Sequence, residues 1–275
     1  MAVLNEGATS FAAANWSDAT GFADNATLEV NKPFGRITAG LDQSGLSATG
    51  IDSLDFNEGA TGQVGGGTDG SLQVDANSTG TERIRNRGRV DLYLTDGGTE
   101  IQNLDLGGRQ RTFLTGGTVT DLTIDGGLLN ANASSVITNL YSTENAVTGS
   151  RGSGVIEYNA TGFTLAHFLA GNWLIKRGFT KIIVGGTATV TLHGELGTLT
   201  EVEQWGGKVF PMYGAVPTYT LHGGLLDFSQ QQEDITYGGT AFNSYGGRIS
   251  GIKSGTTISN VAYLGASDVR QPVGL

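Results

Sequence analysis

Three stretches decide the fold: TEIQNLDLGG at 99–108, GTVTDLTIDGG at 117–127 and SVITNLYS at 135–142. Aligned, they place Ile101, Val119 and Ile137 in one column and Leu104, Leu122 and Leu140 in another, each step being 18 residues. The cassette returns as GTLTEVEQWGG at 197–207 and TTISNVAYLG at 256–265. It reads Thr or Ser, aliphatic, polar, Asn, Asp or Glu, aliphatic. One further step of 18 predicts Val155 and Tyr158 on the same columns. Glycine pairs begin at 97, 107, 116 and 126 and recur at 185, 206, 223, 238 and 246, so a turn is expected at each half-coil.

A repeat this short cannot hold a helix-turn-helix unit, and it is too regular for a sandwich; a solenoid of strands remains. With coils stacked at the inter-strand spacing of about 4.8 Å, equivalent aliphatics lie above one another as an internal ladder. The polar series Asn103, Asp121 and Asn139 then stacks at one corner, where amide and carboxylate groups can hydrogen-bond up the column. Composition agrees. There are 45 glycines and 4 prolines in 275 residues, no G-X-Y period and no long charge run, which excludes collagen and wholesale disorder. Zero cysteines exclude a disulfide framework, a thiolate zinc site and a cysteine nucleophile. A net charge of -10 argues against nucleic acid as a partner. No apolar run is long enough for a signal peptide or a membrane span, so synthesis in a cytoplasm without a leader and no membrane partner are expected.

Outside the array the reading is less regular. Residues 1–35 scatter Phe11, Trp16, Phe22 and Leu28 along a polar segment, as an anchoring arm that binds a partner or as a cap on the first coil. Residues 36–265 form the solenoid, with irregular coils to 87 and regular ones from about 88; residues 266–275 form a tail. Within 161–179, Leu165, Phe168, Leu169 and Trp173 fall at helical spacing, which allows a short helix or a bulged coil.

Few residues carry recognisable chemistry. Gly65–Gly70 matches the G-x-G-x-x-G spacing but has no following helix, so it is read as a turn and no cofactor is expected. His193 and His222 share a Thr-Leu-His-Gly context that places them on one side, without a carboxylate at metal-ligand spacing; no metal is expected. Asp105, Asp121 and Asp125, or Glu201 and Glu203, fall on one exposed face as a glycan-cleaving pair would, or as solvated outer carboxylates. Arg83, Arg85, Arg87 and Arg89, followed by Arg109 and Arg111, are the one basic concentration. Alternation puts the first four on one strand face, either as a ladder balanced by Asp91, Asp96 and Glu100 or as a docking patch for an acidic partner. Trp16, Trp173 and Trp205 are core or interface residues, or platforms for sugars.

The five cassettes resemble the coils of right-handed parallel β-helix proteins, and the missing leader resembles virion proteins of tailed bacteriophages. The resemblance spans roughly 88–265 and implies an all-β, right-handed parallel β-helix with coils of about 18 residues behind an extended N-terminal arm. It implies a non-enzymatic virion protein: a trimeric capsid decoration or cement protein that binds the major capsid protein through its arm and solenoid surface. The alternative is a receptor-binding tail fibre or spike that recognises surface glycan, with or without cleavage.

Overall fold

The computed structural model describes residues 1–18, 22–23, 26–43, 51–66, 70–74, 83–96, 100–131, 135–144, 151–156, 164–176, 179–193 and 199–264. The chain is an all-β parallel solenoid. Alternate strands go to two sheets, so that Arg83–Asn86, Ile101–Leu106, Gly117–Ile124 and Ser135–Ser142 stack in the first. Arg89–Asp96, Arg111–Leu114 and Leu128–Ala131 stack in the second. The inner faces of both sheets meet in one core.

The ladder forms as its spacing demands. Ile101 pairs with Val119 and Val119 with Ile137, while Leu104, Leu122 and Leu140 form the parallel rung, and all six are buried. Each such side chain contributes roughly 1.5–3 kcal/mol of transfer from water. Between the two columns, two successive residues face outward, and the strand bends there. That bend carries Asn103, Asp121 and Asn139, and Asn139 Nδ2 donates to Asp121 Oδ1 at 2.9 Å.

The period of 18 is local. Asn139 pairs with Leu165, Leu165 with Lys181, Lys181 with Glu201 and Glu201 with Thr218, offsets of 26, 16, 20 and 17. Val155 therefore leaves the predicted column; it lies in the second sheet between Asn130 and Leu174, and Tyr158 lies outside the described residues. The helical alternative over 161–179 is also corrected. Leu165–Phe168 and Asn172–Ile175 are strands, one in each sheet, with Ala166, Phe168, Trp173 and Ile175 inward. The Leu/Phe/Trp spacing that resembled a helix spans a corner, at Leu169–Gly171, between two short strands.

At the N-terminal end the stacked array starts earlier than residue 36. Thr27–Val30 joins the first sheet and Pro33–Ile37 the second. Phe11, Trp16 and Leu28 are buried, and Phe22 packs against them: Phe11 stacks on Trp16 at 5.9 Å and Phe22 meets both edge-on at 5.4 and 5.8 Å. The four apolar residues assigned to a docking arm thus close the first coil, the second of the two roles their scatter allowed. A solenoid end needs such a cover, because the last rung has no neighbour to bury it. The tail at 266–275 lies outside the described residues, as do 67–69 of the glycine-rich turn; its near end is held by Gly66 N donating to Gly70 O at 2.8 Å.

Candidate functional site

The basic residues divide among three places. Arg83 and Arg85 share the outer face of the strand Arg83–Asn86, but the strand ends there. Arg87 stands at the corner and Arg89 opens a strand of the second sheet, so the expected row of four on one face does not form. Arg111 lies in the second sheet and Arg109 in the turn before it. Coil stacking supplies the balancing acids: Arg83 reaches Asp55 at 2.8 Å, Arg87 reaches Asp105 at 2.5 Å and Asp125 at 2.6 Å, and Arg85 lies 3.7 Å from Asp105. Of the acids expected opposite them, Asp91 pairs with Arg111 at 3.3 Å. Burial works against the charged Arg87, yet its two aspartates prevail and raise its pKa. The shallow recess of about 490 Å³ over Arg83, Arg87, Asp105 and Asp121 is thus a charge-matched ladder.

A second corner feature was not anticipated as a unit. Trp205, His222 and Tyr245 each follow a strand of the first sheet and precede a glycine pair. Their amides donate one coil down, Trp205 to Val184 O, His222 to Gln204 O and Tyr245 to Leu221 O, at 2.7–2.8 Å. The rings consequently stack: Trp205 on His222 at 3.7 Å and 9°, His222 on Tyr245 at 4.8 Å and 12°. The glycine pairs let the chain turn beneath them. At Gly224, φ is +83° and a Cβ would press on the Gly206 and Gly207 carbonyls at 2.6 Å. The buried Gln204 fastens the corner from inside, donating to Gly206 O and Leu225 O at 3.2 and 3.1 Å and accepting from Tyr219 Oη at 2.6 Å.

Polar groups flank this column on the outer face of the first sheet. Trp205 Nε1 donates to Glu203 Oε1 at 2.9 Å, and His222 Nε2 lies 3.4 Å from the same oxygen. Lys181 bridges Glu201 at 2.8 Å and Glu203 at 2.9 Å. Partial burial opposes the Glu203 charge, but Lys181, the Trp205 indole and His222 outweigh it and hold the carboxyl below its ordinary value. The hydrogen bonds from Lys181 to Glu201 and Glu203 raise the lysine correspondingly.

His167 sits in the neighbouring rung against Tyr141 at 5.2 Å, and desolvation, then Lys181, depress it against the pull of Glu203. A histidine depressed in the fold but free at 6.5 when unfolded costs stability as pH falls below 6.5. Glu203 adds a loss below 4.5, and the Lys181 contribution persists up to at least 10.5. Thermal midpoints are therefore expected to fall on acidification from pH 6.5, and His167→Gln to flatten the slope just below 6.5. Equal slopes in wild type and variant would refute this assignment.

The remaining candidates separate cleanly. Trp173 and Trp16 are core residues at 2% exposure, whereas Trp205 is 59% exposed. His193 follows a strand of the second sheet and packs edge-on against Tyr213, so the two Thr-Leu-His contexts lie on different sheets, and His222 does face a carboxylate. Among the described residues no group of three or more His, Asp or Glu is placed to hold a metal, and no helix is long and apolar enough to cross a membrane. Comparison of the chain with known protein families, with curated proteins and with solved structures finds no match.

Proposed function

We propose that the chain is a non-enzymatic recognition element of a virion surface, a β-solenoid of the receptor-binding fibre or spike type that docks on surface glycan. One observation carries the reading: an exposed indole, Trp205, stacked on His222, which Tyr245 backs in turn, at a corner of the first sheet. A flat aromatic face with a polar rim is the surface on which the C–H face of a sugar ring stacks. Binding without cleavage is supported by the engagement of the candidate acids: Asp105 and Asp125 both pair with Arg87, and Glu201 and Glu203 both pair with Lys181.

Capsid decoration is the second reading. It is favoured by Val261, Tyr263 and Leu264, exposed on the last described coil as an apolar end suited to seating on a major capsid protein. An array of bacterial surface polysaccharides tests both. The chain is expected to be retained, with no new reducing ends on incubation, and Trp205→Ala to lower retention at least about tenfold. A chain that binds no glycan yet co-sediments with expanded phage heads satisfies the decoration reading in place of the first.

A further inference from the structure

Six successive positions of the corner column that follows the strands of the first sheet are Leu169, Gly185, Trp205, His222, Tyr245 and Leu264. Each amide donates to a carbonyl of the coil below, from Leu169 N to Ser142 O through Leu264 N to Ser244 O, at 2.7–2.9 Å. Five of the six carry large side chains, and Gly185 is the missing rung. The indole of Trp205 is covered on its upper face by His222, so a residue that still exposes 59% of its area has its lower face open above Gly185. Leu169, 42% exposed, forms the floor.

The same column contains a second missing rung, and there the gap is filled. At Gly107 the guanidinium of Arg87 crosses the vacant position to reach Asp125, two coils away. Among the described residues no such side chain spans from Leu169 to Trp205; Leu169 Cδ2 reaches into the gap, to 3.0 Å from where a Gly185 Cβ would lie. The gap between those two positions is two coil spacings, about 9.6 Å. A ring in van der Waals contact on both faces needs about 7–8 Å.

We propose that the open rung at Gly185 binds a single neutral pyranose ring, its C–H face on the Trp205 indole and its hydroxyls toward Glu203 and Lys181. The inference rests on the glycan-recognition reading and names the sugar class that reading requires. Hydroxyl groups suit the rim, because Glu203 and Lys181 are already oriented by one another and by Trp205 Nε1. Charge selects neutrality: Lys181 stands against both Glu201 and Glu203, on a chain of net charge -10, so a uronic or sialic acid meets repulsion. An alkylammonium ligand needs several ring faces converging on one point. Here His222 and Tyr245 lie behind Trp205 and offer the slot no face.

Gly185 provides the test. Its φ lies outside the left-handed region, and a Cβ would meet only the flexible Leu169 Cδ2, at 3.0 Å. Gly185→Leu therefore completes the ladder and fills the slot without straining the backbone. The full chain, Gly185→Leu and Trp205→Leu are to be titrated with methyl glucoside, methyl galactoside, N-acetylglucosamine, galacturonate and choline by indole fluorescence and calorimetry. Melting of each variant is followed in parallel. Binding of a neutral sugar that weakens at least about tenfold in both variants, at unchanged melting temperature, is the expected result. Retention of polysaccharide on the array with no loss in Gly185→Leu would overturn the slot and leave glycan recognition standing. Preference for galacturonate or choline would overturn the ligand class. Absence of binding to every sugar and polysaccharide would overturn the broader reading with it.

Discussion

Gly171→Ala is expected to cost on the order of 4 kcal/mol or more and to lower the melting temperature by roughly 10 °C. Gly171 turns the chain from the first sheet into the strand Asn172–Ile175, at a φ of +81°, and a Cβ there would land on the carbonyl oxygen of Gly152 in the coil below. Two penalties combine: a left-handed backbone imposed on an L side chain, and a clash with main chain that has no rotamer to yield. Because stacked coils share one core, the lower coil cannot move aside without breaking its own ladder. Gly239 is the control. Its added Cβ would meet nothing within 4 Å and its φ is not left-handed, so Gly239→Ala is expected to stay within about 0.5 kcal/mol. Thermal unfolding of the two variants side by side decides it, and a Gly171→Ala protein that melts with wild type would sink the account.

Trp173→Ala is expected to cost about 3–5 kcal/mol, against no more than about 0.5 kcal/mol for Trp205→Ala. Trp173 is buried against Phe168 at 4.9 Å, and its Nε1 donates to Ser142 Oγ at 3.0 Å and Ala170 O at 3.1 Å. Removing it leaves a cavity and strips the buried Ser142 hydroxyl and the Ala170 carbonyl of a donor. Its packing also explains a small residue: a Cβ on Gly154, the register partner of Trp173, would meet the indole at 2.7 Å. Trp205 rests its indole on His222 at the surface, so truncation exposes little that was buried. Denaturant melts of both variants give the comparison; equal losses would contradict the division of these tryptophans into core and surface.

Much of the architecture was legible because identical environments repeat along the chain. Ile101, Val119 and Ile137 occupy the same place in successive coils, and a fixed period of 18 exposes them directly. The aromatic column left a trace of the same kind, the triplets Trp205-Gly206-Gly207, His222-Gly223-Gly224 and Tyr245-Gly246-Gly247. Steps of 17 and 23 hid it from a search at 18. The arginine ladder was visible as a concentration of charge but not as a set of pairs. Asp55 precedes Arg83 by 28 residues and Asp125 follows Arg87 by 38, separations with no local signature. Likewise, alternation along residues 83–89 placed four arginines on one face only while the strand was assumed to continue; the corner at Arg87 and Gly88 interrupts it.

From its residues alone, this protein is determined to be a parallel β-solenoid with aliphatic rungs and glycine corners, since both follow from short-range alternation and the φ freedom that turns demand. Tertiary structure decides which corner residues become neighbours. In a parallel solenoid the partner of a side chain lies one whole coil away, and coil length among the described strands runs from 16 to 31 residues, as Leu165 with Lys181 and Asp42 with Gln73 show. Sequence distance therefore carries no constant relation to spatial distance. Only the stacked coils bring Trp205, His222 and Tyr245 into one column, close the gap at Gly107 with Arg87, and leave the gap at Gly185 open.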